Sequence, residues 1–349
     1  MAYVLDSGKS DMNSETQTTV HLPLSVSSPW KELYAPVAEE LAQAEQLLRQ
    51  MANSGSPIVQ EVTEHAIGVG GKRLRPALLL LCARACGPVT EQAVRLAAAV
   101  ELVHSSSLLH DDVFDRSEMR RGTESAWRKW GVSQAVLVGD YLAAVAYRYL
   151  AEYDDSGYLN ILAETVGKMC EAELLSMERG DGIDERAYLQ IIAGKTASLF
   201  STSCRLGAKA AGAPDDVQSA LGAFGHDLGL AFQITDDLLD LYGDATTLGK
   251  SVGQDQSRGI RTLAVIYSLE SDDSGRTARL LEGLSEETCG NEARATLAEW
   301  VERTGGRSYA EQSARDYIAS AQRRLQILSP SPSKEALFGL AEQIVGRIS

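Results

Sequence analysis

Two short segments place three carboxylates within about one helical turn. Leu108-Leu109-His110-Asp111-Asp112-Val113-Phe114-Asp115 and Gln233-Ile234-Thr235-Asp236-Asp237-Leu238-Leu239-Asp240 both spell Asp-Asp-x-x-Asp, and both close an apolar run. Residues four apart share a helix face, so Asp111 and Asp115 point one way, as do Asp236 and Asp240. Like charges this close cost stability unless cations are bound. Mg2+ takes oxygen ligands, commonly one or two carboxylates together with phosphate oxygens and water. Asp111, Asp112, Asp115, Asp236, Asp237 and Asp240 are therefore candidate ligands for several Mg2+ ions held over one diphosphate. A single acidic triplet is usually a solvated helix face. Two copies, each following an apolar stretch (Leu96 to Leu109 and Leu228 to Ile234), favour the metal reading.

An anionic substrate also needs cations, and the chain carries a net charge of −15, from 48 acidic and 33 basic residues. That balance argues against nucleic acid or an anionic membrane as partner, and it requires a local basic pocket. Gly70-Gly71-Lys72-Arg73-Leu74-Arg75-Pro76 supplies one, a glycine-rich turn in which Lys72 and Arg75 can grip a diphosphate. Arg116, Arg120 and Arg121 follow the first acidic cluster, and Lys250 follows the second. Lys195-Thr196 sets a cation and a hydroxyl on an otherwise apolar helix, which points them at a polar cavity rather than an unpaired burial. Gly194-Lys195-Thr196 imitates the end of a nucleotide-binding loop but lacks the earlier glycine and the preceding strand, so that reading is set aside. His104 lies two turns before Asp111, whereas His110 faces away from it and suits a structural role.

The elements that position these groups read as helices almost throughout. Ala and Leu dominate the apolar set and only 6% of residues are aromatic, which favours helices over sheets. Helical spacing predicts segments over 33–51, 76–86, 90–115, 133–153, 159–178, 185–211 and 214–242, then 264–269, 274–284, 292–304, 308–328 and 333–347. Residues 1–28 are polar and aperiodic and are expected to form a disordered tail, with residues 29–349 as one all-α domain. No apolar run approaches the ~20 residues that span a bilayer. The five cysteines are scattered, with no Cys-x-x-Cys, and Cys82 and Cys86 read as core residues, which fits a reducing, cytoplasmic setting.

In order and spacing these segments resemble the trans-isoprenyl diphosphate synthases, or polyprenyl synthetases. The motifs are Gly-Gly-Lys-x-x-Arg-Pro at 70–76, Asp-Asp-x-x-Asp at 111–115, Arg-Arg-Gly at 120–122, Gly-Lys-Thr-Ala at 194–197 and Gln-x-x-Asp-Asp-x-x-Asp at 233–240, and the likeness runs from about Trp30 to Arg347. The resemblance implies an all-α bundle of the isoprenoid synthase type around a central apolar cavity, and a homodimer. It implies Mg2+ held by both aspartate clusters. Arg120, Lys195 and Lys250 would contact an allylic prenyl diphosphate. Lys72, Arg75, His104 and Arg121 would bind isopentenyl diphosphate, and Thr196 and Gln233 would line the reaction centre. Three positions depart from the pattern: Ser251 and Ala264 stand where proline is common, and Ala172 where glycine is common.

The expected reaction joins isopentenyl diphosphate to an allylic diphosphate with trans geometry. Product length should follow the depth of the cavity beneath Asp111, where Ser106 and Ser107 are small and Leu102 and Val103 form the next floor. The opposite wall is expected to include Leu142, Ala143 and Ala146, with the helix around Met169 to Leu175. The resemblance places an aromatic floor at this level in short-chain members, so geranylgeranyl or longer is the expected product, a quinone side-chain precursor above all. A class I terpene cyclase is the rival reading, and a non-catalytic subunit of a heteromeric synthase a third. The full second aspartate cluster and the 70–76 motif weigh against the cyclase, and the intactness of both acidic clusters against the subunit.

Overall fold

Thr90 opens the helix that carries the first acidic cluster. Its hydroxyl accepts a hydrogen bond from the Ala93 amide at 3.2 Å, and the chain then runs helical from Glu91 to Phe114. The computed structural model describes residues 28–68, 71–120, 122–152, 157–243, 261–284 and 290–348. Gly70, Arg121, Lys250, Ser251, Cys289 and residues 1–27 of the expected tail lie outside them.

The described helices are α1 Ser28–Leu33, α2 Ala38–Met51, α3 Pro57–Gly68, α4 Leu74–Cys86, α5 Glu91–Phe114, α6 Ala126–Trp130, α7 Val132–Ala151, α8 Gly157–Arg179, α9 Glu185–Ile192, α10 Ser198–Ala210 and α11 Asp215–Tyr242. Then follow α12 Leu263–Ser271, α13 Arg276–Leu284, α14 Gly290–Arg303, α15 Gly306–Arg324 and α16 Pro332–Val345. The bundle is all-α, as expected, save for one two-stranded ribbon. In it β1 Met119–Arg120 pairs antiparallel with β2 Thr123–Glu124, and Gly122 turns the chain at φ +81°. The periodicity analysis gave no place to α3, α6 or this ribbon. Helix α6 has five residues and the strands two each, too few for a period to show.

Side-chain caps open several of the later helices. Ser331 caps α16, with Pro332 opening the helix. Asp184 caps α9 through the Ala187 amide at 2.8 Å. Ala264 sits in the first turn of α12, where the amide needs no helical partner, so a proline there is dispensable.

Two hydrophobic cores share the bundle. The larger gathers α2, α4, α5, α7, α10 and the first part of α11, with Leu78, Leu79, Leu80, Leu81, Leu96 and Leu102 fully enclosed. The smaller gathers α9, the end of α11, α12, α14 and α15. Helix α11 runs through both cores and packs on α10 and α15. At Gly229 α11 touches the backbone just before α10, since a Cβ there would stand 2.5 Å from the Ala197 Cα. Both acidic clusters fall in the last turns of their helices, α5 and α11.

Candidate active site

Both helices aim their C-terminal ends, the negative pole of the helix dipole, at the aspartates they carry, which makes each cluster cation-seeking beyond its own charge. Asp112 is buried, and its Oδ1 accepts from Arg120 Nε at 2.6 Å, so β1 returns a guanidinium to the cluster. Asp111 looks the other way. Burial pushes its carboxyl up to about 6, the charges of Glu173 and Asp115 add to the effect, and Lys195 and Arg120 oppose it.

Lys195 and Thr196 stand in a π turn, Ala193–Ala197, that interrupts the single helix expected over 185–211. Such one-residue insertions widen the helix and re-aim side chains. Gly194 lets the turn press against α8, because a Cβ there would collide with the Ala172 methyl. The close approach expected of a glycine at 172 is thus made with a glycine on the facing element. The Lys195 ammonium pairs with Glu173. Burial alone would lower its pKa, but Glu173, Asp111 and Asp115 reverse that and hold it above the usual lysine value. The Thr196 hydroxyl donates to Gln233 Oε1 at 2.7 Å. Gln233 Nε2 donates to Asp237 Oδ1 at 2.8 Å, and Tyr188 OH donates to Asp237 Oδ2 at 2.6 Å. Burial pushes Asp237 up to about 7 against those two donors, with Asp236 and Asp240 adding to the rise.

Adjacent residues of one π turn therefore address both clusters: Lys195 through the field of Asp111 and Asp115, Thr196 through Gln233 and Asp237. Among the described residues no three His, Cys, Asp or Glu side chains close into a ready-made metal cage. The donor chemistry still fits Mg2+, whose usual sites use one or two carboxylates and complete the shell with phosphate oxygens and water.

The basic side is built from residues 71–76, where the chain enters α4. Arg73 is buried and left-handed at φ 49°, a conformation that favours glycine. It is held by Glu45 at 2.7 Å, Glu101 at 2.8 Å and the Ile67 carbonyl at 2.9 Å. That buried ion cluster fixes the backbone between Lys72 and Arg75. The Lys72 ammonium lies 5.2 Å from the centre of the Trp30 ring. Arg75 Nη1 meets His104 Nε2 at 3.1 Å, and its guanidinium stacks on Phe200 at 4.8 Å. Phe200 packs on Phe232 at 5.3 Å, and Arg347 lies 5.9 Å from that ring and 3.6 Å from Asp236 Oδ1. Two packed rings with a guanidinium at either end thus join His104 to the second cluster.

His110 takes the structural role expected of it, with Nε2 3.1 Å from the Val136 carbonyl and Gly139 leaving room on α7. Ser106 and Val103 are buried, and the Ser107 hydroxyl donates to the His104 carbonyl at 2.9 Å. Leu142 and Ala146 are buried on α7. Glu173, Tyr188, Phe200, Phe232 and Arg347 were not singled out from sequence. Glu173 alone had a local signal, an acid next to Ala172 where the resemblance pairs glycine with glutamate. The others matter only through partners distant in sequence, as Tyr188 does with Asp237, 49 residues away.

Comparison with known proteins agrees with the geometry. Residues 56–300 match the Polyprenyl synthetase family. The chain is 34% identical to the all-trans-nonaprenyl-diphosphate synthase (geranyl-diphosphate specific) of Rhodobacter capsulatus, over 91% of this chain and 98% of that one. It is 34% identical to the geranylgeranyl diphosphate synthase of Methanosarcina mazei, over 82% and 89%. A polyprenyl synthase from Caulobacter crescentus CB15, crystallised with calcium and isoprenyl diphosphate, superposes with a TM-score of 0.86 at 35% identity, covering 92% of this chain and 98% of that one. The chain belongs to the polyprenyl synthetase family and is a trans-prenyltransferase with the isoprenoid synthase fold.

Proposed function

We propose that this chain condenses isopentenyl diphosphate with an allylic prenyl diphosphate, with Mg2+ as cofactor, to give an all-trans polyprenyl diphosphate of geranylgeranyl length or longer. The observation that carries the proposal is the Lys195-Thr196 turn, which couples to Asp111 and Asp115 on one side and to Gln233 and Asp237 on the other. The calcium and isoprenyl diphosphate in the Caulobacter relative support a divalent cation and a prenyl diphosphate as site occupants.

Asp111, Asp115, Asp236 and Asp240 would hold the metal, with Asp112 and Asp237 steadying the clusters from within. Bound Mg2+ supplies neutralisation of the charge that grows on the departing diphosphate. Lys195 and Arg120, with Lys250, bind the allylic diphosphate. Lys72, Arg75 and His104, with Arg121, bind isopentenyl diphosphate. Positioning the two substrates replaces a bimolecular encounter by an oriented one. The double bond attacks the allylic carbon as its bond to diphosphate breaks, and the proton then lost passes to that diphosphate. Thr196 and Gln233 face the cationic carbon, and apolar walls keep water from it.

Relatives of this chain include both geranylgeranyl and nonaprenyl synthases, so membership alone leaves product length open. Small Ser106 and Ser107 behind Asp111 support the longer range. A homodimer is supported by apolar side chains left exposed between the end of α5 and the start of α7: Phe114 (54%), Met119 (50%), Val132 (51%) and Leu137 (66%). Free Cys82, Cys86, Cys170 and Cys204 fit the cytoplasm.

The test is incubation with labelled isopentenyl diphosphate, a panel of allylic primers and Mg2+, with chromatography of the products. Label in an all-trans product longer than farnesyl is expected; label left in isopentenyl diphosphate with every primer refutes the proposal. Ser106→Phe and Ser107→Phe are expected to shorten the product, and an unchanged product in both removes the argument for length.

A further inference from the structure

Tyr188, Asp237, Gln233 and Thr196 form one unbroken hydrogen-bonded row, Tyr188 OH to Asp237 at 2.6 Å, Gln233 to Asp237 at 2.8 Å and Thr196 to Gln233 at 2.7 Å. We propose that this row is a polarity-setting device: Tyr188 is a positioning residue whose hold on Asp237 fixes the Gln233 amide, so that the Thr196 hydroxyl shows only its lone pairs to the reacting carbon. The proposal rests on the allylic-cation chemistry proposed above.

The direction follows from donor and acceptor capacity. The side chain of Gln233 carries NH2 at one end and C=O at the other. The carboxylate of Asp237 takes the NH2, which turns the carbonyl toward Thr196. Thr196 has a single hydroxyl hydrogen and must spend it on that carbonyl. What its oxygen offers elsewhere is electron density, the right sign for a carbon gaining positive charge and the wrong sign for a leaving diphosphate. Asp237 can impose this order only if it stays put, and Tyr188 occupies its second oxygen. Tyr188 and Asp237 are buried, so bulk water does not compete for the bond between them, while Gln233 and Thr196 are half-buried.

The π turn is what allows one helical element to supply both ends of the row. Tyr188 and Thr196 are eight residues apart. In an unbroken α-helix, residues about seven apart, two turns, share a face, and eight overshoot. The extra residue inserted by Ala193–Ala197 takes up the overshoot and brings Thr196 back to the Tyr188 face. Gln233 and Asp237, one turn apart on α11, then bridge the two.

The experiment is a double-mutant cycle of Tyr188→Phe and Thr196→Val in the full chain. It reads kcat, the KM of both diphosphates, the Mg2+ half-saturation, and calorimetric affinity for a tertiary ammonium analogue of the allylic cation with inorganic diphosphate. Tyr188→Phe keeps the ring and removes only the hydroxyl. It is expected to lower kcat and analogue affinity together, by about five- to tenfold, the size of one hydrogen bond. KM values and metal half-saturation should stay within twofold. In the Thr196→Val background Tyr188→Phe should have no further effect on either readout. Independent, additive effects, or a loss confined to KM and metal half-saturation, would mean that Tyr188 serves packing alone and would overturn the proposal. Wild-type protein that does not incorporate isopentenyl diphosphate overturns the proposed reaction itself, whereas wild-type turnover with an additive cycle overturns the row alone.

Discussion

The two acidic clusters share their letters and their place at a helix end, yet their middle residues live in different surroundings. Asp112 is answered by a full charge, Arg120, delivered by the β1–β2 ribbon. Asp237 is answered by two neutral donors, Tyr188 and Gln233. In the first cluster the middle aspartate therefore orients a cation that can grip substrate. In the second it orients an amide and, through it, the Thr196 hydroxyl. A repeated Asp-Asp-x-x-Asp motif names the outer carboxylates as equivalent, while the role of the middle one is set by what the neighbouring elements bring to it.

The largest effect should test the equivalence of the outer carboxylates. Asp111→Ala and Asp236→Ala are each expected to lower kcat/KM by on the order of 10²–10³-fold, as loss of a group stabilising leaving-group charge does. Steady-state kinetics at saturating Mg2+ checks this, and a tenfold or smaller loss in one of the two would break the symmetry. The middle residue should behave differently. Asp112→Asn leaves Arg120 without its carboxylate, and we expect the allylic KM to rise about five- to tenfold with kcat nearly unchanged, the signature of lost ground-state binding. Arg120 is one-third exposed, so the accompanying stability loss should be modest, about 1 kcal/mol in urea unfolding. A fall in kcat with constant KM in Asp112→Asn would erase the contrast between the clusters.

Much of this frame is legible in the chain itself. Thr90 before Glu91, Asp184 before Glu185 and Ser331 before Pro332 announce helix starts because a capping side chain acts on the amide three residues on. The outer aspartates follow from four-residue spacing, and Lys195 from the cost of burying an unpaired ammonium. The π turn is hidden, since Ala-Gly-Lys-Thr-Ala has the composition of an ordinary helix and the insertion is imposed by packing of Gly194 on Ala172. Arg73 is hidden too. Within Lys72-Arg73-x-Arg75 three cations look alike, and only Glu45 and Glu101, each 28 residues away, show that the middle one is buried structure. Arg347 reaches Asp236 from the far end of the chain, a pairing that no local pattern encodes.

The smallest predicted effect separates the clusters by pH. In the metal-free protein Asp111 is raised to about 6 and Asp237 to about 7, both above the 3.8 of a free aspartate. A raised carboxyl means that the folded chain holds a proton the unfolded chain has already lost. Folding is then favoured at low pH, and stability falls as pH rises from about 4 toward 6 for Asp111 and toward 7 for Asp237. A cation on Asp111 replaces that proton, so Mg2+ should remove its share of the decline, and metal half-saturation should improve as pH rises through about 6. Both oxygens of Asp237 already accept hydrogen bonds from the protein, so its share should persist with metal present. Thermal unfolding across pH 4–8, with and without Mg2+, is expected to show a melting temperature that declines by a few degrees without metal and by less with it. In Asp111→Asn the metal-sensitive part should vanish and the metal-insensitive part remain. A decline that Mg2+ abolishes completely would place Asp237 among the metal ligands and make the two clusters alike after all.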